Sequence, residues 1–442
     1  MNSGLVGTVG TSPLPIRLEF LLSEAYWDYN GSELVNFGLH DVPIPAFAAN
    51  ILSDIVVGWT CLQSIDVPSV AFSGNALRHL ATLPSLQALE SRIDLDGTTP
   101  DDFVGDTDVS LIFPSLRRLA IRTTRLETCA TFIRLVQSGH LENIALQADE
   151  HATADCIEDV CNALAAHPSA GIVEELMIKP GCIAHDPEWQ DMEGPASFIP
   201  QYVHVPMRQS AITPILSLRS LFCLFLLGPC FSAIDNDTVA AIAEKLPCLG
   251  HATLCLDAAY SSVTLAGLMS LGRCSVLRSL EIALADVDEA NVATAFTLKP
   301  RRPHPDIVEY VDRNGNIDFD RLSALQADAP RDGLSPLRTL NVGRARLAAS
   351  CVDGTAGLLT GWFPELRSIH VAFDPTLAYS EVREAVVGAA GFDSEVEARG
   401  TRYVWRSVLE GMAPFLRVRQ QEQSWVTWHR VNEASGRALE ET

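Results

Sequence analysis

The stretch LRSLFCLFLLGPCFSAIDNDTVAAIAEKLPCLGHATLCLDAAYSSVTLAGLMSLGRCSVLRSLEIAL, residues 218–284, decides the fold of this chain. It holds three copies of one spacing: an apolar residue, two variable ones, an apolar, one variable, an apolar. The copies are Leu221-Leu224-Leu226, Leu249-Ala252-Leu254 and Leu277-Leu280-Ile282, each starting 28 residues after the one before. Alternation of this kind marks a strand buried on one face. Between the first two copies, Asp235-Asn236-Asp237-Thr238 opens a segment in which Val239, Ile242, Ala243 and Leu246 recur at three- and four-residue steps. That is helical spacing, and an Asp or Asn at its start caps the helix. Each unit is therefore strand, turn, helix and return.

The same spacing continues on both sides. Upstream it reads Leu34-Phe37-Leu39, Leu62-Ile65-Val67, Leu116-Leu119-Ile121, Leu141-Ile144-Leu146 and Val173-Leu176-Ile178. Downstream it reads Leu337-Leu340-Val342 and Leu366-Ile369-Val371. A weaker copy starts at Leu86, with Leu89 and then Ser91 where an apolar residue is expected. Eight of the ten intervals between successive starts lie between 24 and 32 residues, and the other two, 48 and 60, mark insertions. A proline two residues before the start, as at Pro84, Pro114, Pro247 and Pro364, ends the preceding helix and turns the chain toward the strand. Helical spacing also covers Ala46–Val57, Leu126–Val136, Ala154–Ala165, Thr264–Leu271 and Cys351–Leu359. Strands joined through helices run parallel. The pattern predicts an α/β leucine-rich-repeat solenoid of about eleven units, with a curved parallel sheet inside and helices outside.

Composition narrows the function. The 442 residues include 32 Lys and Arg against 55 Asp and Glu, a formal charge of −23, with a 47 % apolar share. So apolar a chain is not a disordered acidic protein, and so acidic a chain is poorly suited to nucleic acid or an anionic membrane surface. The most apolar stretch, Leu216 to Phe231, is broken by Arg219, ends in Gly228-Pro229 and falls short of the ~20 residues of a membrane span. The N-terminus is not a secretory signal. The 11 cysteines follow no framework spacing and mostly sit in apolar runs, as Cys223 and Cys255 do, which predicts reduced core thiols and an intracellular compartment.

No motif for chemistry stands out. Cys156 and Cys161 lack the second pair that a zinc site needs. Asp312 to Asp320 resembles a calcium loop, but Ile317 and Ser323 stand where a sixth-position Gly and a twelfth-position Glu are required. An acidic loop with Asn314-Gly315 as its turn is the simpler reading. Carboxylates such as Asp101-Asp102 and Glu174-Glu175 are scattered, and no nucleophile elbow or phosphate-binding loop occurs. His185-Asp186 and His304-Pro305-Asp306 lie in Pro-rich loops. Trp425 and Trp428 are read as packing a terminal element over the last repeat. We therefore expect no catalytic residues, no metal and no cofactor.

What remains is a surface. The third and fifth positions of each strand face away from the core. Those selected for protein binding on the concave face are Asp66, Arg118, Asn143, Glu175, Phe225, His251, Glu281, Asn341 and His370. In the Leu221 repeat the outward pair, Cys223 and Phe225, is apolar. It is either a contact hot spot or a seat for the insertion before it. The acidic balance points to a basic partner or simply to high solubility.

Residues 218–284, together with the LRTLNVGRARL and GLLTGWFPELRSIHVAF segments, resemble the later repeats of fungal F-box/leucine-rich-repeat proteins. Asp235-Asn236-Asp237, Val263 to Leu268 and Phe363-Pro364-Glu365-Leu366 carry the resemblance, which spans roughly 30–375. It implies a substrate-recognition role in a cullin-type ubiquitin ligase and a Skp-type linker as partner. The segment before Leu34 departs from the family: Ser12 to Tyr29 offers one helix and no complete F-box. The domain expectation is an irregular or short helical segment at 1–30, the solenoid at 31–375 with insertions near 180–213 and 298–335, and a helical cap and tail at 376–442. A ligase-independent interaction scaffold is the second reading. An enzyme hidden in the insertions is a remote third.

Overall fold

The computed structural model describes residues 26–30, 33–38, 46–93, 112–181, 209–228, 231, 234–254, 261–297, 335–343, 345–363, 365–371 and 404–413. The acidic loop at 312–320, Cys255, and Trp425 and Trp428 lie outside them, as do residues 182–208 and 298–334 of the two insertions. Two compact units divide the chain, at 1–181 and 182–442.

Unit 1 carries strands β1 (Tyr26–Asn30), β2 (Glu33–Gly38), β3 (Ser64–Ala71), β4 (Ala88–Arg92), β5 (Arg118–Thr123), β6 (Asn143–His151) and β7 (Glu175–Gly181). Each of β2 to β6 pairs in parallel with the strand that follows it. Helices α1 (Ala46–Val56), α2 (Gly74–Thr82), α3 (Leu126–Leu135) and α4 (Ala154–Ala166) occupy the returns. The register is the one the spacing predicts. Phe37, Ile65, Leu89, Leu119, Ile144 and Leu176, all fourth-position residues, are aligned from strand to strand and at most 1 % exposed. The weak Leu86 copy belongs to the series. Its Ser91 is fully buried in register with Ile121, and its hydroxyl finds no hydrogen-bond partner among the described residues.

Residues 26–30 correct one expectation. They form a strand antiparallel to β2, with a bulge between Asp28 and Tyr29, instead of ending a helix. Alternating aromatics before Asn30-Gly31 suit a hairpin, and the hairpin covers the otherwise open edge of β2.

Unit 2 carries β8 (Cys223–Leu226), β9 (His251–Leu254), β10 (Ser279–Ile282), β11 (Thr339–Asn341) and β12 (Ser368–His370), all parallel. Leu224, Ala252, Leu280, Leu340 and Ile369 are aligned at the fourth position. Its helices are α5 (Asn236–Lys245), α6 (Leu265–Leu271), α7 (Glu289–Thr297) and α8 (Val352–Trp362), and a 3-10 segment, Gln209–Ser217 with Pro214 inside it, precedes β8. A last helix, α9, spans 404–413. Its Trp405 is 1 % exposed and donates from Nε1 to the Ala345 carbonyl at 2.8 Å, which anchors the C-terminal helix on this unit.

Short polar side chains start four of the helices. Ser73, Thr153, Asp235 and Thr264 each accept from a backbone N–H in the first turn. Asn236 ties one repeat to the next: its Oδ1 accepts from the Thr264 N–H at 2.9 Å and its Nδ2 donates to Thr264 Oγ1 at 3.0 Å. Phe113, before Pro114, stands at φ 53°, a strained value for a non-glycine residue, and is completely buried with its ring 5.5 Å from that of Phe132.

The described cysteines are free thiols. Burial pushes the Cys129 and Cys274 thiols up to about 12. Cys223 departs from the core expectation: it stands at a third position and is half-buried.

His167 closes α4. Its Nε2–H donates to the Val136 carbonyl at 2.9 Å, and its Nδ1 accepts from Ser169, whose Oγ lies at 2.7 Å. Both nitrogens are used by the neutral ring, and burial holds its pKa below the ordinary value of 6.5. In the unfolded chain the ring takes a proton as pH falls through that value, while in the folded chain it resists. His167 therefore stabilises the fold fully above about pH 6.5, and this contribution is lost on acidification below it. Thermal midpoints recorded from pH 7.5 to 5 should fall less steeply for His167→Gln than for the parent; parallel curves would count against this role.

The ladder makes a sharper forecast. Leu119→Ala should cost about 2–5 kcal/mol and Leu119→Asp more than about 4 kcal/mol, whereas exposed Arg118→Ala should stay within about 0.5 kcal/mol. Urea unfolding followed by circular dichroism separates the three.

Candidate functional site

In each unit, the side chains opposite the buried positions form rows that run across the strands. Nearest neighbours in a row are about 4.8 Å apart. In unit 1 the third-position row is Ser64, Ala88, Arg118, Asn143 and Glu175, and the fifth-position row is Asp66, Glu90, Ala120, Ala145 and Met177. Arg118 is exposed and the rest are half-buried. Asn143 Nδ2 donates to Glu175 Oε2 at 2.8 Å, so these two predicted residues act as one polar step. A seventh-position row, which the sequence reading passed over, adds Arg92, Arg122, Gln147 and Lys179. Asp149 joins two of its cations: Arg92 Nη1 lies 2.6 Å from Oδ2 and Arg122 Nε 2.9 Å from Oδ1.

In unit 2 the third-position row is Cys223, His251, Ser279, Thr339 and Ser368, and the fifth-position row is Phe225, Thr253, Glu281, Asn341 and His370. His370 is exposed, while Phe225, His251, Glu281 and Asn341 are half-buried. Thr253, expected to face outward, is 6 % exposed, because Phe225 and Glu281 flank it on the adjoining strands. Asn341 has a local task as well. Its Oδ1 accepts from the Gly343 N–H at 3.2 Å, and Gly343, at φ 65°, passes so close to Ala283 Cα that an added Cβ would sit 3.0 Å away.

The chain's negative excess is not concentrated on these rows. Positions three, five and seven of unit 1 carry Arg92, Arg118, Arg122 and Lys179 against Asp66, Glu90 and Glu175. In unit 2 the third- and fifth-position rows carry Glu281 as their one carboxylate. No group of three or more metal-ligating side chains occurs among the described residues. Cys156, weighed above as a metal ligand, instead donates from Sγ to Glu127 Oε1 at 2.8 Å.

One aromatic beside the rows escaped the sequence reading. Phe222, at a second position, is 40 % exposed, and its ring meets His251 edge-on at 5.3 Å. Gly250 makes the seat, since a Cβ there would lie 2.3 Å from Phe222 Cε2. The signal was present as an aromatic one residue after the repeat start, followed by Gly in the next repeat.

No family model matches the chain, and no curated protein matches it. Among solved structures, a chain of the yeast Rad7 and Elc1 complex is similar over 77 % of either chain, at 12 % identity and a TM-score of 0.34, a likeness too slight to bear on function.

Gly250→Ala should displace the Phe222 ring and leave stability within about 1 kcal/mol, because the obstructing atoms are the free end of an exposed side chain. The His251 ring-proton shifts should lose their aromatic contribution; unchanged shifts would show that the seat is not as described.

Proposed function

We propose that the chain is a protein-binding module whose strand faces hold a partner, and that it serves as the substrate-recognition part of a cullin-type ubiquitin ligase adaptor. The observation that carries the binding half is the register. In each unit, a buried ladder holds outward side chains at fixed intervals. A residue in an outward row can change without disturbing the apolar positions that hold the fold. Such a surface suits extended contact with a macromolecule. Charges of both signs across unit 1, and hydroxyl, imidazole and aromatic groups across unit 2, are the mixture through which protein surfaces are told apart.

The adaptor half rests on the resemblance of residues 218–284 to F-box/leucine-rich-repeat proteins. In that scheme no bond is made or broken on this chain. The repeats raise the concentration of a target near a ligase carried by other subunits. Free buried thiols such as Cys129, Cys161 and Cys274 support an intracellular setting.

Two measurements test the two halves separately. Full-length chain mixed with a purified Skp-type linker should elute as one complex on size exclusion. Separate elution would leave a ligase-independent scaffold. Proteins captured by the tagged chain should fall about tenfold for an Arg118→Glu, Glu175→Arg double variant, whose circular dichroism should match the parent. If capture is undiminished, the unit 1 face is not the binding surface.

A further inference from the structure

Five second-position residues stand side by side, each immediately before a unit 2 strand: Phe222, Gly250, Arg278, Arg338 and Arg367. Backbone hydrogen bonds join each to the next. The Gly250 N–H donates to Phe222 O at 2.8 Å, Arg278 to Gly250 at 2.8 Å, Arg338 to Arg278 at 2.8 Å and Arg367 to Arg338 at 2.9 Å. All three arginines are exposed. Like charges placed directly opposite on neighbouring strands destabilise a sheet. Among the described residues one carboxylate meets them, Glu365, 3.3 Å from Arg338 Nε.

The repeat does not require arginine at this position. In unit 1 it is filled by Val35, Gln63, Gln87, Arg117, Glu142 and Glu174, and there Arg117 is answered by Glu142 at 3.0 Å. In a chain of net charge −23, three adjacent arginines face one carboxylate among the described residues, a local sign opposite to the total. They do so beside an exposed aromatic ring held in place by Gly250 and His251.

We propose that this strip docks an extended acidic segment of a partner protein, with carboxylates on Arg278, Arg338 and Arg367 and an apolar side chain against Phe222. This names the chemistry of the partner and rests on the reading that the repeats bind protein. The dimensions agree. Four strand-to-strand steps from Phe222 to Arg367 make about 19 Å, which an extended chain crosses in about six residues. Guanidinium groups grip carboxylates through paired hydrogen bonds, and an exposed aromatic is the kind of anchor on which small interfaces depend. Thr339 and Ser368, adjacent in the third-position row with their hydroxyls 3.4 Å apart, offer polar partners beside the arginines. The net charge alone would have pointed to a basic partner; the local charge reverses that choice. A long polyanion is disfavoured by the net charge of −23.

Fluorescence anisotropy with the full chain tests the proposal. The probe is a labelled peptide of about seven residues, Asp-Glu-Leu-Asp-Glu-Phe-Glu, set against its Asn/Gln counterpart, Asn-Gln-Leu-Asn-Gln-Phe-Gln. The acidic peptide should bind about tenfold more tightly than the amide peptide and weaken as salt rises from about 50 to about 300 mM. An Arg278→Ala, Arg367→Ala double variant should lose about tenfold in affinity, and Phe222→Ala about fivefold. Equal binding of the two peptides, unchanged affinity in the arginine variant, or displacement of the peptide by an equally charged oligonucleotide at the same concentration would each overturn it. If the peptide fails while captured proteins still respond to the Arg118 and Glu175 changes, protein binding stands and the acidic segment does not. If both fail, the binding reading falls with it.

Discussion

The constraint on which the rest depends is the alignment of the fourth-position apolar residues on adjacent parallel strands. Ile65, Leu89, Leu119, Ile144 and Leu176 in unit 1, and Leu224, Leu280 and Leu340 in unit 2, are each at most 1 % exposed. Removing one such side chain from water is worth roughly 1.5–3 kcal/mol. A slip of one residue between two strands would turn that whole set outward and bring the polar positions in. The burial of these residues thus sets the register, and the register alone decides which side chains are neighbours on the opposite face. Ser91 shows how much the ladder tolerates: a buried hydroxyl without a partner among the described residues is carried by the apolar residues on either side of it.

Because the core takes its residues from positions one, four and six, the remaining positions are left to chemistry. The two units use this freedom differently. Unit 1 builds ion pairs across its strands, with Asp149 shared by Arg92 and Arg122 and Arg117 facing Glu142. Unit 2 leaves Arg278 and Arg367 without an ion-pair partner among the described residues and places an aromatic ring on a glycine seat at the head of the same row. Ion pairs at an exposed face contribute little to stability, so their arrangement is a matter of what the surface meets. Unanswered like charges work against the fold, which makes them the more informative feature.

Much of the architecture was legible because a repeat states its rule many times. One LxxLxL proves little, but the register at Leu86 could be inferred from its neighbours even with Ser91 in the wrong place. The helices at 126–135, 154–166 and 265–271 were readable from apolar spacing, and Asp235 was readable as a cap. The strand at Tyr26–Asn30 was not, since a short apolar and aromatic run suits either state until the edge of β2 is there to pair with it. The candidate face was half legible. Arg118, Asn143, Glu175, His251 and His370 lie where alternation puts them, while Thr253 is buried by larger flanking residues and Asn341 is partly engaged in its own turn.

The repeat period, the identity of the buried ladder and the sum of the charges follow from the order of the residues alone. Each of these is set along the chain, by intervals of a few residues or by simple addition. Which charges stand together was decided only by the tertiary structure. Arg278, Arg338 and Arg367 are separated in the chain by 60 and 29 residues, yet their backbones are hydrogen-bonded in succession. Side-chain interactions depend on distance in space, and stacking parallel strands turns an interval of one repeat into about 4.8 Å. A total of −23 therefore says what the molecule repels on average, and the folded rows say what a given patch can hold.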